Sequence, residues 1–487
     1  MSQMDSDGGD GAPAGPAAPP ARAPLTRARE VASRALVRVW QKDAFASAAL
    51  DAELYTEQHR GKLDPRDAAL ATELTYGVLR VEPALLAKLA KVSTKFRAPT
   101  GLVRAHLLIG AYAICFLDRV PSFAAVSEAV EAARRVADPK VGGFVNAVLR
   151  RLVTDVEKNG PPRYESAVVQ SCPAWLKKAI GRSIGTEYIE SYLMAGGGTP
   201  PLGLCLSPEL SRDEVIERLR KVAPNAEIGA GAASPLAVLV RGAGDLRRLA
   251  GLGESFIAQE EGAQVVALAL GARPGERVLD ACAGHGNKTW VLGKAVGPEG
   301  FVAAADLYAG KLRQVDLPTA SGRAGSGGGA GGAGGAGAGA AVTKTFVVDW
   351  SKGQGEVPRD FDRALVDAPC SGTGTLRRRP EIQGKRAPED LPRLAALQLA
   401  ILRSAAACVR NGGRVVYAVC SVLREEAEEV VAAAAREGAV DGARLVPAPF
   451  DAPSISARSG EEAAFRLLPH VDGTDGYFAA SFVVERG

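Results

Sequence analysis

The sequence predicts a multidomain protein: an all-α N-terminal domain, a small α+β module, and an α/β domain built on a doubly wound parallel sheet. Three observations carry this. At 487 residues the chain has room for several domains of ordinary size. Between about 25 and 155 the apolar residues recur at helical spacing, and no strand pattern interrupts them. From about 255 the grammar becomes strand, loop and helix in alternation, the signature of a parallel sheet covered on both faces.

Composition narrows the class. Hydrophobic residues make up 47% and charged residues 23%, which excludes wholesale disorder. The net charge of +4 permits a nucleic-acid partner through local basic patches without requiring one. The most apolar stretch, 101–117, is interrupted by Arg104 and His106, so no membrane association is expected. The start of the chain lacks a basic segment followed by an apolar one, so no signal peptide is expected. Seven cysteines, no two of them in a C-x-x-C pair, offer neither a disulfide framework nor a zinc site. Four scattered histidines argue against a histidine-based hydrolase. A reduced, cytoplasmic enzyme without a metal is the expectation left.

Residues 1–24 are Pro, Gly, Ala and Asp with almost nothing to bury, and are expected to form a disordered tail. In 25–155, Phe123, Val126, Val130, Ala133 and Ala137 fall on one helix face, opposite Glu128, Glu131, Arg134 and Arg135. Phe144, Val145, Val148, Leu149 and Leu152 mark a second helix, expected to start after the helix-breaking pair Gly142-Gly143. The stretch 156–200, with Gly160-Pro161-Pro162 and Gly196-Gly197-Gly198, reads as a linker carrying one or two helices. In 201–254, short apolar runs flank the charged helix SRDEVIERLRKV, an α+β module. Within 255–487 the expected strands are 277–282, 301–306, 345–349, 363–367 and 414–418, with a closing strand at 477–485. The run of Gly and Ala at 321–341 is read as a flexible insert. A coil of that length spans roughly 25 Å and can loop out without disturbing the sheet.

Ligands of open parallel sheets bind beyond the carboxyl ends of the strands, so the residues there are a functional census. The first strand runs into Asp280, Ala281, Cys282, Ala283, Gly284, His285, Gly286, Asn287 and Lys288. The next three end in Asp306, Asp349 and Asp367, the last followed by Ala368-Pro369-Cys370; the fifth ends in Val419-Cys420-Ser421. The Gly-x-Gly turn by itself can simply turn the chain. Thr289 stands where a dinucleotide site wants a third glycine, so a nucleoside-type cofactor such as S-adenosylmethionine fits better than NAD. Asp306 lies where an acid can accept hydrogen bonds from ribose hydroxyls. In Asp367-Ala-Pro-Cys370-Ser-Gly-Thr-Gly374, Pro369 fixes its φ and the small residues leave a wide turn open to substrate. Lone cysteines such as Cys115 and Cys408 read as small buried hydrophobes. Cys370 and Cys420, at matching strand ends beside an acid, read as a site.

The segments DAPCSGTGTLRRRPEI and YAVCSVLREEAEEVV closely resemble the RNA cytosine-5 methyltransferases of the Fmu/Sun type, and the resemblance runs along nearly the whole chain. ALATELTYGVLR, IGAYAICFLDRVPSFAAVSEAVEAARR and GGFVNAVLRR resemble the NusB-like helical RNA-binding domain of that family, and 255–487 its Rossmann-like methyltransferase domain. The resemblance implies that S-adenosylmethionine is held by Cys282 to Lys288, Asp306, Asp349 and Asp367. It implies Cys420 as nucleophile, Cys370 as the group assisting product release, and 16S ribosomal RNA as the substrate; a monomer is expected. The chemistry explains the residue types. C5 of cytosine is a poor nucleophile, and a thiolate added at C6 makes it enamine-like. Asp367, protonated during addition, is expected to hydrogen-bond N3.

One departure stands out. The family usually reads Ala-Ala-Pro-Gly-Gly-Lys-Thr where this chain has Ala283-Gly284-His285-Gly286-Asn287-Lys288-Thr289. Asn287 is expected to adopt the left-handed backbone that glycine would supply, since Asn tolerates it better than most residues. His285 reads either as incidental or as a polar contact to the cofactor. Arg377, Arg378, Arg379, Lys385 and Arg386, just past the cysteine loop, are expected to meet RNA phosphates. Arg134, Arg135, Arg150 and Arg151 offer a second basic surface. Two rivals remain open: a non-catalytic RNA-binding ribosome-assembly factor whose altered 283–289 turn no longer holds cofactor, and methylation of another substrate such as transfer RNA or protein.

Overall fold

The computed structural model describes residues 27–42, 44–61, 63–94, 96–242, 256–313, 315 and 341–487. The expected tail at 1–24 lies outside the described residues, as does the 321–341 insert up to its last residue.

Six helices build the N-terminal domain: Arg27–Gln41, Ala46–His59, Pro65–Val92, Gly101–Phe116, Ser122–Val136 and Pro139–Asn159. Their starts follow local rules. Asp64 and Asp138 accept from the backbone N–H of Asp67 and Lys140, each just before a proline that fits the first helical turn. Inside the longest helix, Pro83 interrupts the hydrogen-bond ladder, and the N–H of Ala84 donates to Ser171 Oγ instead, at 3.2 Å. Val126, Val130 and Ala133 are buried as their spacing predicts, but Phe123 is 78% exposed. It sits in the first turn, short of the packed layer. Gly142-Gly143 does not break a helix. The helix begins at Pro139, and the missing side chain of Gly142 admits the Arg134 stem.

Three helices, Tyr164–Ser171, Ala174–Ile184 and Ile189–Ala195, occupy the linker, rather than one or two. They do more than connect. Cys172, Leu176, Ile180, Tyr192 and Leu193 share an apolar cluster with Leu376, Ile382, Val422 and Leu423 of the last domain. The module that follows is an antiparallel sheet of β1 (Leu202–Leu206), β2 (Glu227–Ala230), β3 (Ala237–Arg241) and β4 (Phe256–Ala258), in the order β2-β3-β1-β4. Helix Arg212–Val222 packs against it through Val215, Ile216 and Leu219.

The last domain is the expected α/β sheet. It comprises β5 (Arg277–Asp280), β6 (Phe301–Asp306), β7 (Val342–Val347), β8 (Phe361–Asp367), β9 (Val409–Val419), β10 (Arg444–Pro447), β11 (Ala464–Leu467) and β12 (Tyr477–Glu485). The order is β10-β12-β9-β8-β5-β6-β7, with β11 beside β12. From β7 across to β9 all pairings are parallel, whereas β12 runs antiparallel to β9. The chain winds outward from β5 through β6 to β7, then returns through β8 to β9, so the switch point falls between β5 and β8. Four strands differ in extent from expectation, β8 by starting two residues earlier, at Phe361. β5 ends at Asp280, β9 begins at Val409, and β7 spans 342–347, which leaves Asp349 beyond the strand.

Candidate active site

The crevice at the switch point gathers the loops after β5, β6, β8 and β9. Asp280 ends β5, wholly buried, and accepts from Thr289 Oγ1 at 2.7 Å. Burial pushes its carboxyl up to about 6, while the Thr289 bond opposes that rise. The turn that follows is set by two glycines, Gly284 at φ +57° and Gly286 at φ +86°. A side chain on Gly286 would run into Val315. Asn287 is not left-handed as expected. Gly286 supplies that conformation and Asn287 opens the helix Asn287–Val296, its Nδ2 donating to Ala258 O at 3.2 Å. His285 is exposed at the tip of the turn.

Asp306 ends β6, nearly buried, with Oδ2 accepting from Gly284 N at 3.0 Å and Oδ1 from Tyr308 N at 2.9 Å. Leu307 and Tyr308 next to it are exposed. Asp349 lies just beyond β7, next to Val348, whose N–H donates to Asp306 O at 3.1 Å. It caps the short 3-10 turn Trp350–Lys352 and spends its carboxylate on Ser351 N, Ser351 Oγ and Lys352, which hold it below the usual carboxylate range.

Across the crevice, Lys288 Nζ donates to Asp367 Oδ2 at 2.6 Å. Burial alone would lower the ammonium's pKa, but the Asp367 charge and hydrogen bond outweigh it and the pKa rises. Asp367 is thus held in an ion pair with Lys288. Beside it the Sγ atoms of Cys370 and Cys420 lie 3.3 Å apart. Their environments drive the two thiols in opposite directions. Cys420 is lowered, chiefly by the hydrogen bond from Cys370 and further by Arg379 and Lys288, against burial and the Asp367 charge. Cys370 is raised by the same bond and by burial. Cys282, in contrast, is raised by burial and by Asp367, Asp280 and Asp306 together. A carboxylate-rich pocket of this kind opposes a thiolate and favours a cation.

A network that sequence reasoning missed locks the two cysteine loops to each other. Glu426 is fully buried and accepts from Ser371 N at 2.7 Å, from Ser371 Oγ, and from Gln398 Nε2 at 3.0 Å. Gln398 Nε2 also donates to Pro369 O at 3.0 Å, and Tyr417 OH to the Glu426 carbonyl at 2.6 Å. Ser421, next to Cys420, bonds Thr373 Oγ1 at 3.0 Å. Gly374 N donates to Cys420 O at 3.0 Å.

The basic run past the cysteine loop is mostly spent inside the protein. Arg377 is buried, pairing with Asp475 and with Glu260 at 3.2 Å. Arg378 pairs with Asp475 at 3.0 Å and donates to Pro201 O, Lys385 donates to Ala44 O, and Arg386 to Ser371 O. Arg379 is exposed, over the Phe45 ring. Most of these partners lie far off in sequence, so a local reading takes the run for a set of free cations facing RNA phosphates.

A parallel sheet with a Gly-rich first turn, an acid closing the second strand and a half-buried thiol pair defines a methyltransferase, joined here to a six-helix domain. A family model described as "16S rRNA methyltransferase RsmB/F" matches residues 337–483, and one described as "NusB family" matches 26–154. Ribosomal RNA small subunit methyltransferase B of Pseudomonas putida is 33% identical over 461 residues, 93% of this chain and 98% of that protein. A putative methyltransferase of Mycobacterium tuberculosis is 34% identical over 492 residues, 95% of this chain and 97% of that protein. The solved structure titled "Crystal Structure of PH0851" shares the fold, with a TM-score of 0.72 at 19% identity over 95% of this chain and 99% of that one. The chain belongs to the ribosomal RNA small subunit methyltransferase B family and is an RsmB/F-type ribosomal RNA methyltransferase.

Its cofactor is S-adenosylmethionine. The site fits that group chemically. Asp306 can receive ribose hydroxyls with exposed Leu307 and Tyr308 alongside, and the field of Asp280, Asp306 and Asp367 suits a sulfonium. Asp280 Oδ1 is buried without a protein partner, as a residue awaiting a ligand contact would be.

Proposed function

We propose that the enzyme methylates C5 of a cytosine in 16S ribosomal RNA through a covalent bond between Cys420 and C6 of the base. One observation carries this reading: two cysteine sulfurs 3.3 Å apart beside a Lys288–Asp367 ion pair, with Cys420 the thiol driven toward thiolate. Methylation of an amine or hydroxyl would need no such pair.

S-adenosylmethionine, when bound, supplies the electrophilic methyl group. The residues of the chain do the rest. Cys420 adds to C6, and the electron pair of the C5–C6 double bond moves toward C5 as negative charge spreads to N3 and O2. The Lys288–Asp367 pair holds positive charge and a proton against that edge of the base. Once C5 carries the methyl group, its remaining proton leaves to a base, the double bond reforms and the C6–S bond breaks. Cys370, hydrogen-bonded to the leaving sulfur, serves this second half. C6 can be reached only in an unstacked base, so the target is single-stranded or flipped out.

RNA phosphates are met by Arg379 near the thiols and by Arg134, Arg135, Arg150 and Arg151, all exposed on the helical domain. Small-subunit RNA as substrate follows the name of the Pseudomonas putida relative, and a cytoplasmic place of action follows the substrate.

The test is methyl transfer from labelled S-adenosylmethionine to unmodified ribosomal RNA, with nucleoside digestion. Label in 5-methylcytidine from wild type, and none from Cys420→Ala, supports the reading. Label on transfer RNA alone moves the substrate. No transfer and no cofactor binding by calorimetry makes the protein a non-catalytic assembly factor.

A further inference from the structure

The side chains of Ser371 and Thr373 tie the start of the cysteine loop to Glu426 and Ser421, but the glycines that follow have none. Gly372 and Gly374 flank Thr373, and Gly374 packs directly on the backbone of Gly476. The place of this second half is set by contacts from other elements. On one side Gly374 N donates to Cys420 O at 3.0 Å and Gly476 N to Gly374 O at 2.8 Å. Tyr192 OH, from the linker helices, donates to Thr373 O at 2.7 Å. On the other side the support comes from the helical domain. Arg80 on helix Pro65–Val92 is 4% exposed, and its Nη2 donates to the carbonyl of Arg377 at 2.8 Å.

The contact belongs to a continuous seam. Ala46 N donates to Glu381 Oε1 at 2.9 Å, and Lys385 Nζ to Ala44 O at 2.9 Å. Between them the Phe45 ring lies 5.3 Å from the Arg379 guanidinium and 5.6 Å from the Lys385 ammonium. Two further polar atoms in the seam, Arg80 Nε and Gln383 Oε1, are buried without a protein partner. Both residues line one small cavity of ≈ 10 Å³, together with Tyr192, Gly374 and Arg377.

We propose that Arg80 is a positioning residue for the methyl-transfer reaction. Through the Arg377 carbonyl it holds the 374–377 turn, whose Gly374 is bonded to Cys420, where Cys370 meets Cys420. The helical domain would then do more than grip RNA, because the element that binds the substrate also sets the geometry of the thiols. The proposal rests on the two-cysteine reading of the site. Reactive groups must be held to within about half an ångström, and a buried charged hydrogen bond is among the stronger means of doing so.

The test uses full-length Arg80→Met, which keeps side-chain bulk and removes the polar atoms, with Arg80→Lys as the conservative variant. Steady-state kinetics on RNA is read beside the rate at which iodoacetamide alkylates Cys420 at pH 7. For Arg80→Met the expected result is a kcat lower by about tenfold, with KM for RNA and for cofactor within about twofold. Alkylation of Cys420 slows, because the turn no longer presents Cys370 to it. Arg80→Lys, which can still reach a carbonyl, recovers part of kcat. A lower Tm with kcat and alkylation unchanged would overturn the proposal, leaving Arg80 a structural residue. So would a raised KM for RNA with kcat intact, which would make it an RNA contact. Alkylation can be read without substrate, so it decides about Arg80 even if wild type modifies no cytosine.

Discussion

Cys370 Sγ and Cys420 Sγ lie 3.3 Å apart although 50 residues separate them in the chain. The parallel pairing of β8 with β9 brings them together: Asp367 stands opposite Ala418, so each strand delivers its cysteine to the same level. The sulfur contact then separates the two thiols, Cys420 toward thiolate and Cys370 away from it. Cys370→Ala removes the donor, so the Cys420 pKa rises and less thiolate is present at pH 7. The pH midpoint for alkylation of Cys420 is expected to move upward. An unchanged profile would show that Cys370 does not tune its neighbour.

Gly374→Ala tests how closely the cysteine loop must pack. The added Cβ would press on the carbonyl oxygen of Gly476, which follows directly from backbone positions. Because β12 begins at Tyr477, relief has to displace either that strand or the cysteine loop. Stability is expected to fall by about 1–3 kcal/mol, as for other overpacked sites. Methyl transfer should fall by at least tenfold, measured beside thermal unfolding. Full activity at unchanged Tm would mean that the loop is looser than it stands here.

Asn287→Gly, which restores the residue usual in the family, should not improve cofactor binding. Gly286 already takes the left-handed position at φ +86°, and Asn287 sits in the first turn of a helix, where glycine costs up to about 1 kcal/mol. Calorimetry with S-adenosylmethionine is expected to give a Kd within about twofold of wild type. A tenfold tightening would show that the asparagine side chain obstructs the site.

His106 makes acid stability a property of the helical domain. Burial lowers its pKa to about 4 from 6.5, so in the native state the ring stays neutral while the unfolded chain takes up a proton. Between these values the unfolded state binds more protons, so stability is lost as pH falls from 6.5 toward 4, by about 3 kcal/mol in all. Asp280 acts with the opposite sign. Its raised folded pKa of about 6 means that stability declines as pH rises from 3.8 toward 6. Denaturant unfolding of wild type and His106→Gln between pH 7 and pH 4 separates the two. The variant should lose less stability on acidification than wild type, and equal losses would contradict the assignment.

Most of the architecture is legible in the sequence because periodicity and turn residues are local signals. The cysteine site is legible for the same reason: strand ends can be read, and the sheet carries them to one edge. What sequence reasoning misses depends on distant partners. Nothing local distinguishes Glu426 from Glu425 or Glu429. Yet Glu426 is fully buried beneath both cysteine loops, while Glu425 pairs with Arg182 and Glu429 with Arg424. Arg377 reads as one of a run of cations meeting RNA phosphates until Asp475 and Glu260 close over it. Asp349 follows a strand pattern that the chain abandons two residues earlier, at Val347.

The central claim is that Cys420 bonds to the base, and the covalent adduct tests it most directly. Cys370→Ala is mixed with S-adenosylmethionine and unmodified ribosomal RNA, then denatured and digested, and the cross-linked peptide is sequenced by mass spectrometry. The account predicts an RNA–protein adduct that accumulates in this variant, carries a methylated cytosine and maps to Cys420. An adduct mapped to another residue, or normal turnover with no adduct, would contradict it.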